Sequence, residues 1–251
     1  MKKLLVSASI LAALSAAPAL AEEELIDPSD LTRVYKQAAA FITSDADMRF
    51  STMMTGAWSE TTQFAGFIEG NFGNKDADKD GDNFGIDFKN ARAQYFQVHA
   101  MNNSVLPRAG FMVDAIYNDV ADMSLLSVGA IGLINPAYTA GITTFPNLNY
   151  TYGEIMNDTV DGFMVNYFAT IPMGDTGSFL QVWPEYMNVS GDSIEMESTK
   201  FNVMFNAPIK TNRTTWLMTK LEYGSTDMTI DGQMLDSNNE LKAEIGVKWF
   251  L

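Results

Sequence analysis

Apolar and polar residues alternate along several long stretches of the chain, most clearly at its end. From Leu241 to the last residue every second position is apolar: Leu241, Ala243, Ile245, Val247, Trp249 and Leu251. The positions between them include Lys242, Glu244 and Lys248. Because successive side chains of a β-strand point to opposite faces, this pattern predicts a strand with one apolar and one polar face.

The same alternation recurs upstream and predicts twelve strands. Their expected bounds are Leu31–Ile42, Met48–Trp58, Gln63–Phe72, Arg92–Met101, Arg108–Tyr117, Met123–Leu133, Asn147–Ile155, Gly162–Ile171, Phe179–Val189, Thr199–Ala207, Arg213–Gly224 and Asn239–Leu251. Tilted strands of about ten residues can cross a membrane, whereas strands of soluble sandwiches usually have about five or six. An even number of antiparallel strands can close with every backbone group paired. The predicted fold class is therefore all-β, a closed antiparallel transmembrane β-barrel, with a soluble sandwich as the alternative.

Three of these strands are less sharply defined than the others. Arg92–Met101 and Met123–Leu133 have mixed parity, so ten strands is the alternative number. Leu31–Ile42 is rich in alanine and follows Asp27-Pro28-Ser29-Asp30, which is typical of a helix N-cap. A short helix is the alternative there.

The first residues have the three parts of a secretory signal peptide. Lys2 and Lys3 precede a short apolar run, and Pro18-Ala19-Leu20-Ala21 ends in small residues. The run is shorter than the roughly 20 residues that a membrane-spanning helix needs. We therefore expect residues 1–21 to be removed and residues 22–251 to form the barrel domain.

The connections between the predicted strands support the barrel. If the first strand starts at the periplasmic side, the longest and most acidic connections, residues 73–89, 190–198 and 225–238, all fall outside. The inner turns are compact, except around Pro136–Pro146. Outer-membrane barrels have this asymmetry. Aromatic residues near the strand ends suit the girdles at the two membrane interfaces. They are Trp58, Phe72, Tyr117, Tyr167, Tyr186, Tyr223 and Trp249. Aromatic residues also occupy ordinary cores, which is the alternative.

Composition excludes several classes of function. With 31 acidic against 16 basic residues, the formal charge of −15 argues against a nucleic-acid partner. The absence of cysteine excludes disulfides, thiol catalysis and cysteine-ligated metal sites. The single histidine, His99, excludes a site with several histidine ligands.

In its signal peptide and strand pattern the chain resembles outer-membrane β-barrel proteins of Gram-negative bacteria. The last strand of such proteins carries a signal for the barrel-assembly machinery, and Trp249, Val247 and Ile245 fit its spacing, although Leu251 stands where phenylalanine is usual. The resemblance implies an outer-membrane location, contact with lipids and lipopolysaccharide, and recognition of the C-terminal strand by that machinery. It identifies no functionally defined family and leaves the oligomeric state open.

An acidic segment between two predicted strands copies the spacing of a calcium loop. Carboxylates at alternating positions and at the twelfth position can converge on one cation, and here they are Asp76, Asp78, Asp80, Asp82 and Asp87. Aspartate stands where glutamate is usual at the twelfth position, and no flanking helices are predicted. The alternative is a solvated acidic loop; no other cofactor is expected.

The inward faces of the predicted strands carry charges of both signs. The residues expected to line a pore are Arg49, Glu69, Arg92, Arg108, Asp114, Glu185, Lys200, Lys220, Glu222, Lys242, Glu244 and Lys248. They indicate either an aqueous channel or an ion-paired filling of the barrel, because twelve strands lie between filled small barrels and open porins. The expected function is a passive porin-like channel for small hydrophilic solutes. The alternative is a non-conducting barrel that acts through its acidic outer loops.

His99 is the one candidate catalytic base. A histidine base needs a serine within hydrogen-bond reach and a third group that orients the ring, and the sequence shows no such trio on an outward face. We therefore expect His99 to lie in the lumen or at a rim, and we expect no enzymatic activity.

Overall fold

The computed structural model describes residues 34–75, 85–174, 176–235 and 237–251. Its strands are β1 Tyr35–Thr43, β2 Met48–Ser59, β3 Thr62–Gly73, β4 Asp87–Ala100, β5 Arg108–Asn118, β6 Met123–Leu133, β7 Thr143–Ile155, β8 Asp158–Met173, β9 Ser178–Ser190, β10 Ile194–Pro208, β11 Thr215–Ile230, β12 Gln233–Met234 and β13 Asn238–Phe250. A short 3-10 helix, Pro136–Tyr138, precedes β7. The predicted signal peptide lies outside the described residues. No helix of the described part is long and apolar enough to span a membrane.

The strands pair antiparallel with their neighbours along the chain, and β1 pairs with β13 so that the sheet closes. β12 is a two-residue hairpin extension on β11 and adds no wall to the barrel. The prediction of a closed twelve-stranded barrel is therefore confirmed. The predicted segments of mixed parity are β4 and β6, so the ten-strand alternative is wrong. The helix alternative is also wrong over Tyr35–Thr43, which is β1.

Side-chain direction follows the alternation in the sequence. In β13, Leu241, Ile245 and Trp249 are exposed on the outer face, whereas Glu244 and Lys248 are buried inside. Apolar side chains on the outer face suit contact with lipid. Barrel closure pairs the backbone groups, which lipid could not hydrogen-bond. The charged residues between the apolar positions must then face the interior.

The two ends of the barrel differ in their connections. One end, called here the terminal rim, carries the start of β1, the end of β13 and the connecting residues 60–61, 101–107, 134–142, 174, 176–177 and 209–214. The other end, the loop rim, carries residues 44–47, 74–75, 85–86, 119–122, 156–157, 191–193, 231–235 and 237. The turn at Met156 and Asn157 has φ of 50° and 66°. Positive φ at both positions is the geometry of a two-residue hairpin turn that matches strand twist.

Aromatic side chains collect near both rims. At the loop rim Phe50, Phe72, Phe88 and Tyr117 form a row with ring centroids 5.7 to 6.0 Å apart. Near the terminal rim, Trp58, Tyr167 and Trp249 are exposed. Rows at these two levels agree with interfacial girdles.

Two of the predicted outer loops are mostly strand. β9 reaches Ser190 and β10 begins at Ile194, so the connection expected at 190–198 shrinks to residues 191–193. Similarly, β11 continues to Ile230, and the connection expected at 225–238 shrinks to residues 231–237. The reason lies in the outward positions, where Glu195 and Glu197 are exposed while the inward Met196 is buried. These strand ends are polar outside, which in the sequence is typical of a loop.

Candidate functional site

The candidate site is the lumen, where ten of the twelve predicted pore-lining side chains form a band that we call the lumen belt. Its members are Arg49, Glu69, Arg92, Asp114, Glu185, Lys200, Lys220, Glu222, Lys242 and Glu244. Opposite charges stand directly across from each other in the strand register, as with Glu69 and Arg92, Glu185 and Lys200, and Glu222 and Lys242. The belt holds five cations and five carboxylates, so its formal charges cancel.

Arg92 connects opposite sides of the belt. Its Nη2 donates to Asp114 Oδ2 on the neighbouring strand and to Glu185 Oε2, each at 2.5 Å. β4 and β9 lie five places apart in a ring of twelve long strands, so the Arg92–Glu185 contact crosses the lumen. Gln94 Nε2 also donates to Asp114 Oδ2 at 2.8 Å. Charge-assisted bonds of this kind are strong, and they narrow the lumen at this level.

A second charged group ties β2, β3, β11 and β13 together. Arg49 Nε donates to Glu244 Oε2 at 2.9 Å, and its Nη1 donates to Glu69 Oε2 at 2.9 Å. Lys220 Nζ donates to Glu222 Oε2 at 2.6 Å and lies 3.8 Å from Glu244 Oε1. Each carboxylate of the belt thus has a cation within 4.0 Å.

One wall of the lumen keeps contact with water. Along β3, β11 and β13, the side chains of Glu69, Glu222 and Lys242 retain 20%, 22% and 18% of their accessible surface. Lys220, beside them, is less accessible but not sealed. We call these four residues the wet wall. Arg92 on the neighbouring strand β4 also retains 18%, so water reaches inward charges along this side of the barrel.

The opposite wall is closed to water. On β5 to β8, inward Asp114, Ser127, Thr151, Asn149 and Asn166 have at most 1% exposure, and we call these five residues the dry wall. Ser127 and Thr151 share a hydrogen bond of 2.8 Å. Asn147 Oδ1, between them and the terminal rim, accepts from Asn149 Nδ2 at 2.8 Å and from Asn166 Nδ2 at 3.1 Å.

The dry wall and its neighbours Asn147 and Thr144 also contain polar atoms without partners. Asn149 Oδ1, Asn166 Oδ1 and Asn147 Nδ2 are buried with no hydrogen bond, as is Thr144 Oγ1. A buried unpaired polar group costs roughly 1–3 kcal/mol. This amide cluster was not predicted, although Asn147 and Asn149 share inward parity in the sequence and so could have been recognised.

Apolar side chains fill the lumen beside the dry wall. Toward the loop rim, one cluster collects Leu125, Ile155, Val160, Met164, Met187, Val189, Ile194 and Met196 from strands β6 to β10. A smaller cluster contains Val98, Met112 and Ile131, with Phe96 against it. Filling of this kind makes that half of the interior a packed core.

Toward the terminal rim the lumen carries two cations of the predicted set. Lys248 Nζ lies 5.2 to 5.5 Å from the ring centroids of Phe179, Trp216 and Phe250, and 3.4 Å from Asn206 Oδ1. Arg108 Nη1 is buried without a hydrogen bond. No carboxylate of the described residues lies within 4.0 Å of either cation. This end of the lumen is therefore positively charged.

At the loop rim a lysine–aspartate group holds the turn between β1 and β2. Lys89 Nζ donates to Asp47 Oδ2 at 2.8 Å, and Lys242 Nζ lies 3.2 Å from Asp45 Oδ2. Partial burial acts to raise the pKa of Asp45, but the Lys242 charge and hydrogen bond outweigh it and leave that pKa below its usual value. These contacts were not predicted, because they depend on how a turn folds over the barrel mouth.

The calcium candidate is only partly visible. Asp76, Asp78, Asp80 and Asp82 lie outside the described residues, and Asp87 is the first residue of β4. Within the described part, no group of three or more acidic or histidine side chains is arranged to hold a metal ion.

His99 lies at the terminal rim, exposed on the outer face. The Tyr95 hydroxyl donates to Gln97 Oε1 at 2.9 Å, which turns the Gln97 amide nitrogen toward His99 Nε2, 3.1 Å away. His99 Nδ1 lies 3.0 Å from Thr62 Oγ1, so both ring nitrogens contact polar side chains at the rim.

A closed twelve-stranded barrel with an apolar outer face, aromatic girdles and a charged interior is a β-barrel of the outer-membrane type. Among solved structures it is similar to the "KdgM porin" (TM-score 0.50, 9% identity, 86% of this chain and 98% of that chain covered). It is also similar to the NanC porin (TM-score 0.50, 9% identity, 86% and 100% covered) and to the COG4313 outer membrane channel from Pseudomonas putida F1 (TM-score 0.52, 9% identity, 90% and 100% covered). At this identity the likeness shows the fold. No protein-family model and no curated protein sequence matches the chain.

Proposed function

We propose that the protein is a narrow, passive, porin-like channel for small hydrophilic solutes of the Gram-negative outer membrane. The observation that carries this proposal is the wet wall, because its inward charges keep contact with water inside a barrel whose opposite wall is sealed. A row of hydrated charges of both signs is a surface along which small polar solutes can pass. The similarity in fold to three channel proteins supports the same function.

The predicted pore-lining residues take different parts in this proposal. Glu69, Lys220, Glu222 and Lys242 line the water path, and Arg49 and Glu244 hold that wall together. Arg92, with Asp114 and Glu185, sets the narrowest level, while Lys200 faces Glu185 across the strand pair. Since the belt is neutral, the cations near the terminal rim, Arg108 and Lys248, give the channel a modest preference for anions.

Single-channel recording in a planar bilayer tests the proposal. Refolded protein should give stable ohmic steps with a chloride-to-potassium permeability ratio above one, and Lys248→Gln, which removes the charge without burying a carboxylate, should lower that ratio by about threefold, equivalent to about 0.6 kcal/mol. The matched control is Lys36→Gln, because Lys36 is an exposed residue of β1 that faces outward near the same rim. A folded barrel that gives no current would contradict the proposal.

The second candidate is a non-conducting barrel that acts through its surface. The Arg92–Glu185 contact across the lumen and the apolar filling beside the dry wall favour it. Its acidic loop rim is where cations or lipopolysaccharide would bind, with Asp76 to Asp87 as the proposed calcium segment. A calcium titration that slows proteolysis of this segment, in a barrel without conductance, would favour this candidate.

A further inference from the structure

The outer face of the barrel carries an apolar groove that the channel proposal does not use. The groove has a volume of about 480 Å³, within the range of about 300–1,000 Å³ that is usual for ligand sites. Its lining includes Ile68 on β3, Ala93 on β4, Ala115 on β5, Leu126 on β6 and Tyr152 on β7. Each of these residues is next in the chain to a member of the lumen belt or the dry wall, so their side chains point outward.

The strand register explains why the groove forms. The five residues lie directly beside one another across neighbouring strands, in the order Ile68, Ala93, Ala115, Leu126 and Tyr152. The three large side chains, those of Ile68, Leu126 and Tyr152, have 57%, 49% and 54% of their surface exposed. Two adjacent alanines therefore form a floor between side chains that stand up on both sides. Ala91 continues this floor along β4 toward the loop rim.

The outer face on the other side of the barrel is built differently. A row of four consecutive partners crosses β9, β10, β11 and β13, and it consists of Pro184, Phe201, Tyr223 and Leu241. The last three of these side chains are exposed. Because this row contains no alanine, large side chains cover the backbone along its whole length. The groove on β4 and β5 is therefore a local feature and not a general property of the lipid-facing surface.

Tyr117 marks the end of the groove that is nearest the loop rim. It lines the groove, and its hydroxyl donates to Asp119 Oδ1 at 2.9 Å in the connection after β5. A tyrosine with its ring against apolar residues and its hydroxyl among polar groups is typical of a membrane interface. The longest connection between strands, from Gly73 to Asp87, lies at the same rim. Since outer-membrane barrels have their longer loops outside, we place the groove in the outer leaflet.

A groove in a lipid-facing surface is unfavourable when it is left unfilled. Atoms that line a void lose their dispersion contacts, so an occupant that touches the alanines is stabilised by packing. An acyl chain is thin and flexible enough to reach the floor between Ile68 and Leu126. A second barrel would present a stiff sheet with side chains of similar size, and these two walls would hold it away from the alanines.

We propose that this groove binds one saturated acyl chain of a lipopolysaccharide molecule in the outer leaflet. The acyl chain lies over Ala93 and Ala115, contacts Ile68 and Leu126 at its sides, and meets Tyr117 near its polar end. Lipopolysaccharide forms the outer leaflet of Gram-negative outer membranes, and its saturated acyl chains can lie straight along such a groove. The groove is separate from the lumen, so its occupancy does not depend on whether the barrel conducts.

Native mass spectrometry of the refolded protein in detergent tests this site. The probes are hexa-acylated lipid A, the same disaccharide phosphate without acyl chains, and dipalmitoylphosphatidylglycerol, each added separately. The wild type should retain lipid A in preference to the other two probes. Ala115→Phe fills the groove and should weaken lipid A binding about tenfold, as expected for the loss of roughly ten close carbon contacts. Ala40→Phe is the matched control, because Ala40 faces outward on β1 at the level of Ala91 but outside the groove, and it should bind as the wild type does.

Four outcomes would overturn the proposal. The first is equal lipid A binding by the wild type and Ala115→Phe. The second is equally tight binding of the disaccharide phosphate, which would indicate a headgroup site. The third is phosphatidylglycerol that binds as tightly as lipid A, which would assign the groove to a phospholipid. The fourth is a lipid-free dimer that Ala115→Phe dissociates, which would assign the groove to a second copy of the chain.

Heat-modifiable gel migration confirms that each variant is folded. If Ala115→Phe does not fold, Leu126→Ala replaces it, because this substitution removes one wall of the groove and leaves the floor unchanged. Leu126→Ala must then weaken lipid A binding, and unchanged binding by this variant would equally contradict the proposal.

Discussion

The wet wall and the dry wall use similar polar residues but place them in different surroundings. On the wet wall, Glu69, Glu222 and Lys242 keep part of their surface in contact with water. On the dry wall, Asp114 and Asn166 have none, and the space in front of the wall is occupied by apolar clusters. The comparison shows that inward polarity alone does not define a water path in a barrel of this size. Whether water enters depends on how much of the lumen in front of each wall is filled by other side chains.

The largest expected effect comes from the residue that joins the two sides. Arg92→Met leaves Asp114 and Glu185 buried without their cation, and breaking a buried pair in this way costs about 3–5 kcal/mol. We expect the free energy of unfolding, measured by urea titration in lipid vesicles, to fall by that amount.

The control for this prediction removes the charges together. Arg92→Met/Asp114→Asn/Glu185→Gln no longer buries an unpaired carboxylate, so it should recover most of the lost stability. If Arg92→Met were as stable as the wild type, the contact across the lumen would contribute little to the free energy of unfolding and would not hold the two walls together.

A matched pair of glycine substitutions compares a close approach between strands with an open position. A Cβ at Gly129, beside the dry wall, would come within 2.0 Å of the Leu148 carbonyl oxygen, whereas at Gly224 the nearest atom is Lys200 Cγ at 3.9 Å. Gly129→Ala should destabilise the barrel by about 1–3 kcal/mol, and Gly224→Ala should change its stability by less than about 1 kcal/mol. Denaturant titration measures both. Equal costs would contradict the close approach of the Leu148 carbonyl to Gly129.

Replacing a dry-wall amide should have a small effect. Asn166 Oδ1 has no partner, and its Nδ2 donates one hydrogen bond, to Asn147 Oδ1. Asn147 Oδ1 also accepts a hydrogen bond from Asn149 Nδ2. Because the unpaired oxygen offsets the bond, Asn166→Leu should shift the free energy of unfolding by no more than about 1 kcal/mol. A larger loss, seen in the same titration, would indicate that water enters this wall.

The smallest effect is expected at the mouth of the wet wall. The Lys242 charge keeps the pKa of Asp45 below its usual value, so this pair stabilises the turn above the ordinary pKa of aspartate and is lost as the pH falls. Lys242→Gln should raise the Asp45 pKa, as read from an NMR titration of its carboxyl carbon. An unchanged pKa would mean that the lysine does not hold this turn.

The strands could be predicted because the membrane imposes one rule on all of them. Because the outer face lies in lipid and the inner face carries polar residues, apolar and polar positions alternate clearly in β13, β8 and β5. The rule ends where the outer face meets water, and there the prediction was wrong: Glu195 and Glu197 suggested a loop within what is β10. Beyond the lipid, the outward positions lose the apolar signal that marks a strand.

The candidate site could be predicted only in part. Parity was enough to place Glu244, Lys220 and Arg92 on the inner face, because it depends on neighbouring positions alone. Which inward residues meet depends on the cross-section of the closed barrel, so the contact from Arg92 to Glu185 had no signature in the sequence. The division into a wet and a dry wall depends on the same cross-section.

The most direct measurement of the central claim is the reactivity of single cysteines placed on the two walls. The chain has no cysteine of its own, so each variant carries one thiol. In vesicles, Glu222→Cys should react with a charged, membrane-impermeant thiol reagent about tenfold faster or more than Ser127→Cys, because reaction requires an accessible thiolate. Similar rates for the two cysteines, or a faster rate at residue 127, would contradict a lumen that is open to water along one wall and packed along the other.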